Sequence, residues 1–349
     1  IGSLVSMRRL PDLVLVIALI WVIFYCFEGN YHRIGGDLLP IVDAAARNMS
    51  RGVNPYFADY SSITKNPFFY LPLQWLPYIP TAVVDVDPRI ANIFLFSVIV
   101  LFARFQKGES LNKIRVALFP VLFSHLFTLA LARTYMVPYW AILYFFTFTL
   151  VTRRDVLSAI FLGLALATRQ TAVFIAAATL VGIIWHQPLR RTLRWGAIIV
   201  VVSGLFLGPF LVWNRMFLYE TFIILPKEAI ARNAHNPIAS AQVGIMPLLR
   251  DIGFFASSFI IQGGAGAVAL CIIIVKRSES RAAVAAGAGA IGLLISVSGG
   301  QVFEYYFGSG LLIMACALSF SCDATRTAFQ QFGELANGAK GHVALLKKF

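Results

Sequence analysis

Asp37 follows Gly35-Gly36 directly, so this carboxylate sits on backbone free to bend toward a ligand. Held over a membrane cavity, such an acid can take the proton from an attacking hydroxyl as a general base. The same residue also suits the N-cap of the helical-looking stretch Leu38 to Arg51, because Asp is a favoured capping residue. Both readings stand on spacing alone. A second feature lies in the apolar stretch from Val156 to Trp185, which Arg169-Gln170-Thr171 interrupts. Two helices of about 13 and 14 residues reach some 20 Å each, short of a hydrocarbon core of roughly 30 Å, so the interruption should lie below the surface. A guanidinium at that depth needs a polar cavity and an anion. A phosphate matches its bidentate geometry, and a carboxylate from an outer loop is the alternative.

Further polar residues gather in the same segments. Lys65 leads into Asn66-Pro67-Phe68-Phe69-Tyr70-Leu71-Pro72-Leu73, which suits either a lipid headgroup or an ordinary aromatic, lysine-bearing interface. Lys227, Arg232, His235 and Asn236, followed by Pro237-Ile238-Ala239-Ser240, form a cluster that either completes an anion site or is merely solvated. Gln301, Glu304 and Tyr305, in Gly299 to Tyr306, would add an acid and aromatics at the lip of the same cavity. Asn54 and Tyr56 close the first loop's helical stretch in Gly52-Val53-Asn54-Pro55-Tyr56. His125 lies mid-way along an apolar run without an acidic neighbour and reads as a packing hydrogen bond. No metal or other cofactor is indicated. Asp85-Val86-Asp87 before Pro88 reads as a solvated turn in preference to a metal pair, and one loop acid does not make a cage for a divalent ion. Cys26, Cys271, Cys316 and Cys322 show neither a disulfide framework nor zinc-ligand spacing.

These residues must be positioned by membrane helices. The 349-residue chain is 59% hydrophobic and only 13% charged, with a mean hydropathy of +0.77, which places it in the membrane class. Apolar runs near 12–27, 89–105, 115–132, 135–151, 196–213, 255–275, 282–298 and 303–321 read as spans. The stretch 156–185 adds a hairpin of two short helices. Residues 66–84 carry Pro67, Pro72, Pro77 and Pro80 and read as an interfacial or re-entrant segment, since such a density of proline breaks a regular helix. The first run, after Arg8 and Arg9, lacks a small-residue cleavage site and reads as a helix, not a signal peptide.

Charge fixes the sidedness. With the N-terminus inside, Arg8, Arg9, Arg104, Lys107, Lys113, Arg115, Arg153, Arg154, Arg190, Arg191, Arg194, Lys276, Arg277 and Arg281 all fall on one side, and the outer segments come out nearly neutral. The net charge of +13 is thereby assigned to cytoplasmic loops, and nucleic acid is set aside as a partner. The expected architecture is all-α: a polytopic domain over 1–322 with about ten transmembrane helices and outer-face juxtamembrane helices. Outer loops 28–88 and 214–254 form the site, a cytoplasmic tail covers 323–349, and both termini are cytoplasmic. Small-xxx-small pairs Ala283/Gly287, Ala285/Gly289 and Ala288/Gly292 suit close helix packing.

Gly36-Asp37 with the helix ending Gly52-Val53-Asn54-Pro55-Tyr56, then Phe68-Phe69-Tyr70-Leu71-Pro72-Leu73, resembles the first outer loop of polytopic GT-C glycosyltransferases, closest to glycosyltransferase family 87. Gly163-Leu164-Ala165-Leu166-Ala167-Thr168-Arg169-Gln170 resembles that family's hairpin, and His235-Asn236-Pro237-Ile238 falls where its later outer loop carries polar residues. The resemblance implies inverting transfer of a sugar, mannose or a pentose, from a polyprenyl-phosphate donor to a lipid or glycan acceptor. The transfer would take place at the outer face of a bacterial cytoplasmic membrane. It implies Asp37 as the base; Arg169, Lys65, His235 and Arg232 on the donor phosphate; and Asn54, Tyr56, Asn236, Gln301, Glu304 and Tyr305 near the acceptor or sugar. Val42-Asp43 and Leu71-Pro72 depart from the family's pattern. Two other classes share the architecture: a transporter or flippase of lipid-linked sugars, and a non-catalytic membrane subunit of an envelope assembly.

Overall fold

The computed structural model describes residues 20, 23–24, 38–63, 68, 70–105, 136–225, 228, 281–297 and 313. Among them the chain is helical, without a strand. The sequence dictates this, because long runs of Leu, Ala, Ile and Phe supply apolar surface while the backbone polar groups are satisfied inside each helix.

The first loop opens with α1, Leu38–Ser50, which buries Leu39, Ile41, Val42, Ala45 and Ala46. After Gly52, at φ +75, a 3-10 turn covers Pro55–Phe57. The proline-rich stretch then becomes a staircase: α2 (Pro72–Trp75), a 3-10 turn (Leu76–Tyr78) and α3 (Ile79–Val83). Each step carries proline in its first turn, where the missing N–H costs no hydrogen bond. A broken path is what that proline spacing predicts.

Five longer helices follow: α4 (Arg89–Phe105), α5 (Val137–Val151), α6 (Asp155–Thr168), α7 (Ala172–His186) and α8 (Leu189–Trp213). A three-residue α9 (Phe217–Tyr219) runs into a π-helical turn at Glu220–Ile224, and α10 spans Arg281–Val297. Among the described residues only α8, with 25 residues, is both long and apolar enough to cross a membrane. Its exposed Val200, Val201, Leu205 and Val212 leave an apolar face uncovered. Pro209 lies inside this helix and cannot donate to the carbonyl four residues back. Arg89–Ile99, Val137–Val151, Asp155–Thr168 and Ala172–Ile184 are apolar but shorter. The expected spans at 115–132, 255–275 and 303–321, nearly all of 12–27, and the tail 323–349 lie outside the described residues.

α6 is wedged between α5 and α8. Gly163 makes the second contact possible: a Cβ there would stand 2.8 Å from Val202 Cβ and 2.9 Å from the Ile199 carbonyl oxygen. α7 leaves α6 soon after the break and packs on α10, where a Cβ on Gly182 would meet Val284 Cγ1 at 2.7 Å. Ala285 and Ala288 of the small-residue face are fully buried. The expected hairpin is thus a splayed pair whose arms are held by different neighbours.

The helices turn at two ends. At one, Arg281 pairs with Asp155 at 2.5 Å, and Trp195 Nε1 donates to the Asp155 carbonyl at 2.7 Å and to Ser158 Oγ at 3.1 Å. The starts of α6, α8 and α10 therefore meet there, alongside exposed Arg153, Arg154, Arg190, Arg191 and Arg194. Arg153 closes α5 in the left-handed conformation, φ +58, with its N–H on the Leu150 carbonyl and that of Arg154 on the Thr149 carbonyl. The loop staircase, the start of α5, the α6–α7 break and the end of α8 gather at the opposite end.

Candidate functional site

Tyr56 organises the loop end. Its backbone N–H is received by Asn54 Oδ1 at 2.9 Å, so Asn54 caps the 3-10 turn that aims the ring inward. Tyr56 Oη donates to the Tyr70 carbonyl at 2.6 Å and accepts from Trp75 Nε1 at 3.3 Å. Its ring meets Phe217 at 4.7 Å, Phe210 at 5.3 Å and Phe68 at 5.3 Å between centroids. Edge-on pairs of this kind add to the area they bury, and here they join the first loop to the end of α8 and the start of the second loop. Burial holds the Tyr56 phenol well above its ordinary pKa, so it remains a neutral donor. Tyr60, donating to the Pro55 carbonyl at 2.9 Å, is pushed up to about 12 by the same cause.

Arg169 stands at the break. α6 ends because Arg169 takes extended backbone, φ −149 and ψ 138, while its N–H still reaches the Ala165 carbonyl at 3.0 Å. The side chain is half-buried, and its guanidinium Nη1 lies against Met136 Sδ at the head of α5. Gln170 Nε2 donates to the Thr221 carbonyl at 3.2 Å, which ties the break to the π-helical turn. Tyr139, in the first turn of α5, is 1% exposed, and its hydroxyl lies in the field of the Arg169 charge and beside Thr171. α2 lies across this end in contact with α5, α6 and α8. Arg169 and Tyr56 thus belong to one end of the molecule.

Of the remaining sequence-predicted site residues, Asp37, Lys65, Arg232, His235, Asn236, Gln301, Glu304 and Tyr305 lie outside the described residues. Lys227 and His125 do so as well. The structure places Asn54, Tyr56 and Arg169, with Asn54 and Tyr56 in direct contact.

Sequence reasoning missed several residues that build this end. Arg47 Nε holds Asp43 at 2.9 Å, and its Nη1 holds Asp85 at 2.5 Å, clamping α1 to the turn after α3. Two hydrogen bonds to carboxylates keep the Arg47 guanidinium firmly charged. The four-residue spacing of Asp43 and Arg47 was a usable signal; the link to Asp85 was not. Asp85 itself is exposed at φ +54, and Asp87 pairs with Arg89 at 2.5 Å. Both acids therefore serve a turn. No cluster of His, Cys, Asp or Glu suited to a metal ion occurs among the described residues. Asn214 Nδ2 donates to Glu220 Oε2 at 2.6 Å, bracing the start of the second loop.

Comparison with family models, with curated proteins and with solved structures finds no match. Reasoning about function therefore rests on the residues and their geometry. Chemically, the loop end offers a charged guanidinium beside a buried phenol, roofed by an aromatic, proline-stepped segment.

Proposed function

We propose that this chain is a polytopic membrane glycosyltransferase that moves a sugar from a polyprenyl-phosphate donor to a lipid or glycan acceptor, with inversion at the anomeric carbon. The proposal includes about ten spans, cytoplasmic termini, and a site facing outward from the membrane. Asp37 takes the proton from the acceptor hydroxyl as that oxygen bonds to the anomeric carbon. The bond from that carbon to the phosphate oxygen breaks, and the polyprenyl phosphate leaves with the electron pair. Negative charge grows on the departing phosphate, and a preplaced cation lowers the barrier by stabilising it. Arg169 has that role, with Lys65, Arg232 and His235 beside it. Tyr56 and Asn54 shape the wall toward the acceptor.

The observation that carries this reading is the position of Arg169. It stands at a helix break under the aromatic loop, at the end opposite the exposed arginines, where a donor phosphate at the membrane surface would arrive.

The test is transfer of radiolabelled sugar from polyprenyl-phosphate mannose, and then from other polyprenyl-phosphate sugars, into membrane acceptors by purified wild-type and Asp37→Asn protein. Transfer by the wild type, lost at least 100-fold in Asp37→Asn with donor still bound, is the expected result; that magnitude is typical of removing a general base. Binding without transfer by either protein ends the enzyme reading and directs the work to flipping assays in liposomes.

A further inference from the structure

The end where α6 and α8 start carries more charge than its fold uses. Arg153, Arg154, Arg190, Arg191 and Arg194 are all exposed, and none has a carboxylate at ion-pair distance among the described residues. The acid that stands among them, Asp155, is held by Arg281. The fold nevertheless keeps the five together. Trp195 Nε1 donates to the Asp155 carbonyl at 2.7 Å. Arg191 and Arg194 lie within about one helical turn of Trp195, and Arg153-Arg154 directly precede Asp155, so one contact gathers both groups. Arg154 is further laid over the Phe148 ring, 5.7 Å from its centroid. Arg153 takes left-handed backbone, φ +58, at a helix end where glycine is the usual occupant. Like charges gathered in this way repel, and an anion lying over them relieves the repulsion.

The surface next to the charge indicates which anion. At 3.6 residues per turn, Arg190 and Arg194 lie in line with Ala197, Val201 and Val212, which are exposed along α8, the helix long and apolar enough to cross a membrane. The guanidiniums thus stand at the head of an uncovered apolar strip. A phospholipid has the same division, with a phosphate at one end and an acyl chain below it. We infer that this end docks an anionic phospholipid, whose phosphate lies across Arg190, Arg194 and the neighbouring Arg153-Arg154 pair while its acyl chain runs down the exposed strip of α8. This rests on the membrane placement in the proposed function and not on sugar transfer. Guanidinium groups suit the role because each offers paired N–H donors to phosphate oxygens, and basic residues at a membrane surface favour anionic over zwitterionic lipid.

The full chain in detergent is titrated with dioleoylphosphatidylglycerol and, separately, with dioleoylphosphatidylcholine, and bound lipid is counted by native mass spectrometry. Wild type should bind phosphatidylglycerol the more tightly. Arg190→Gln with Arg194→Gln should lose about 25-fold in phosphatidylglycerol affinity, near fivefold for each charge, with phosphatidylcholine binding and the heat-denaturation midpoint unchanged. Arg190→Lys with Arg194→Lys keeps the charge and should retain most of the affinity. Arg51→Gln with Arg215→Gln, the same loss of charge at the loop end, should change nothing. Wild type without a preference for phosphatidylglycerol overturns the inference, as does an equal loss for both lipids or from the loop-end pair. Displacement of the lipid by an equal concentration of inorganic phosphate also overturns it, since the anion is then a free one. Protein that transfers sugar without this lipid preference defeats the inference alone. Protein that binds phosphatidylglycerol through these arginines yet never transfers sugar defeats only the enzyme reading.

Discussion

The two ends of the helix bundle solve the same problem by different physics. At the loop end, Tyr56, Trp75, Phe210 and Phe217 interlock, and the polar atoms among them are shared in hydrogen bonds to backbone and to one another. At the other end, exposed arginines flank the partly exposed pair Asp155–Arg281, and the buried Trp195 provides an anchor. Order at the first end comes from apolar burial around the hydrogen-bonded Tyr56 and Trp75, which is strong and specific. Charge at the second stays wet, where it contributes little to stability. A site that must fix one charged ligand for chemistry needs the rigid end; the basic end needs only to keep its charge exposed.

The largest expected effect tests whether these ends face opposite sides of a membrane. In a cysteine-free background, Phe57→Cys and Leu189→Cys, at positions 67% and 64% exposed, should react with an impermeant maleimide from opposite sides of sealed vesicles. Labelling of both from one side would remove the sidedness on which the proposed function depends. Next comes Tyr56→Phe. This deletes the donor to the Tyr70 carbonyl and the acceptor for Trp75, and it should cost about 1–3 kcal/mol in detergent unfolding followed by tryptophan fluorescence. Arg281→Gln should give the smallest effect, less than about 1 kcal/mol, because its partner Asp155 is 38% exposed and exposed pairs are weak. If Arg281→Gln were costlier than Tyr56→Phe, the contrast between the ends would be wrong.

Particular residues show what the sequence made legible. The break after Thr168 could be read because Arg169-Gln170-Thr171 is polar within a long apolar stretch, and the structure ends α6 and starts α7 on either side of it. The staircase at 72–83 could be read from its prolines, and the Asp85-Val86-Asp87 turn from the proline that follows. The partners of α7 could not. Gly182 and the small face of α10 draw it away from α6, and small residues advertise close packing without naming which helix approaches. Tyr139 and Met136 escaped notice for a related reason. In sequence they belong to a uniformly apolar span, and only the fold shows that the head of α5 meets the α6–α7 break. Asn54 looked like a ligand-facing amide because a cap and a binding residue share the same chemistry; the 2.9 Å bond from Tyr56 N–H commits its oxygen to the turn.

Pro209 gives α8 a mechanical property. Pro209 has no N–H to offer the Leu205 carbonyl, and the next residue after the proline is Phe210, whose ring touches Tyr56, Trp75 and Phe217. The weakest rung of α8 thus lies just beneath the residue that gathers both loops.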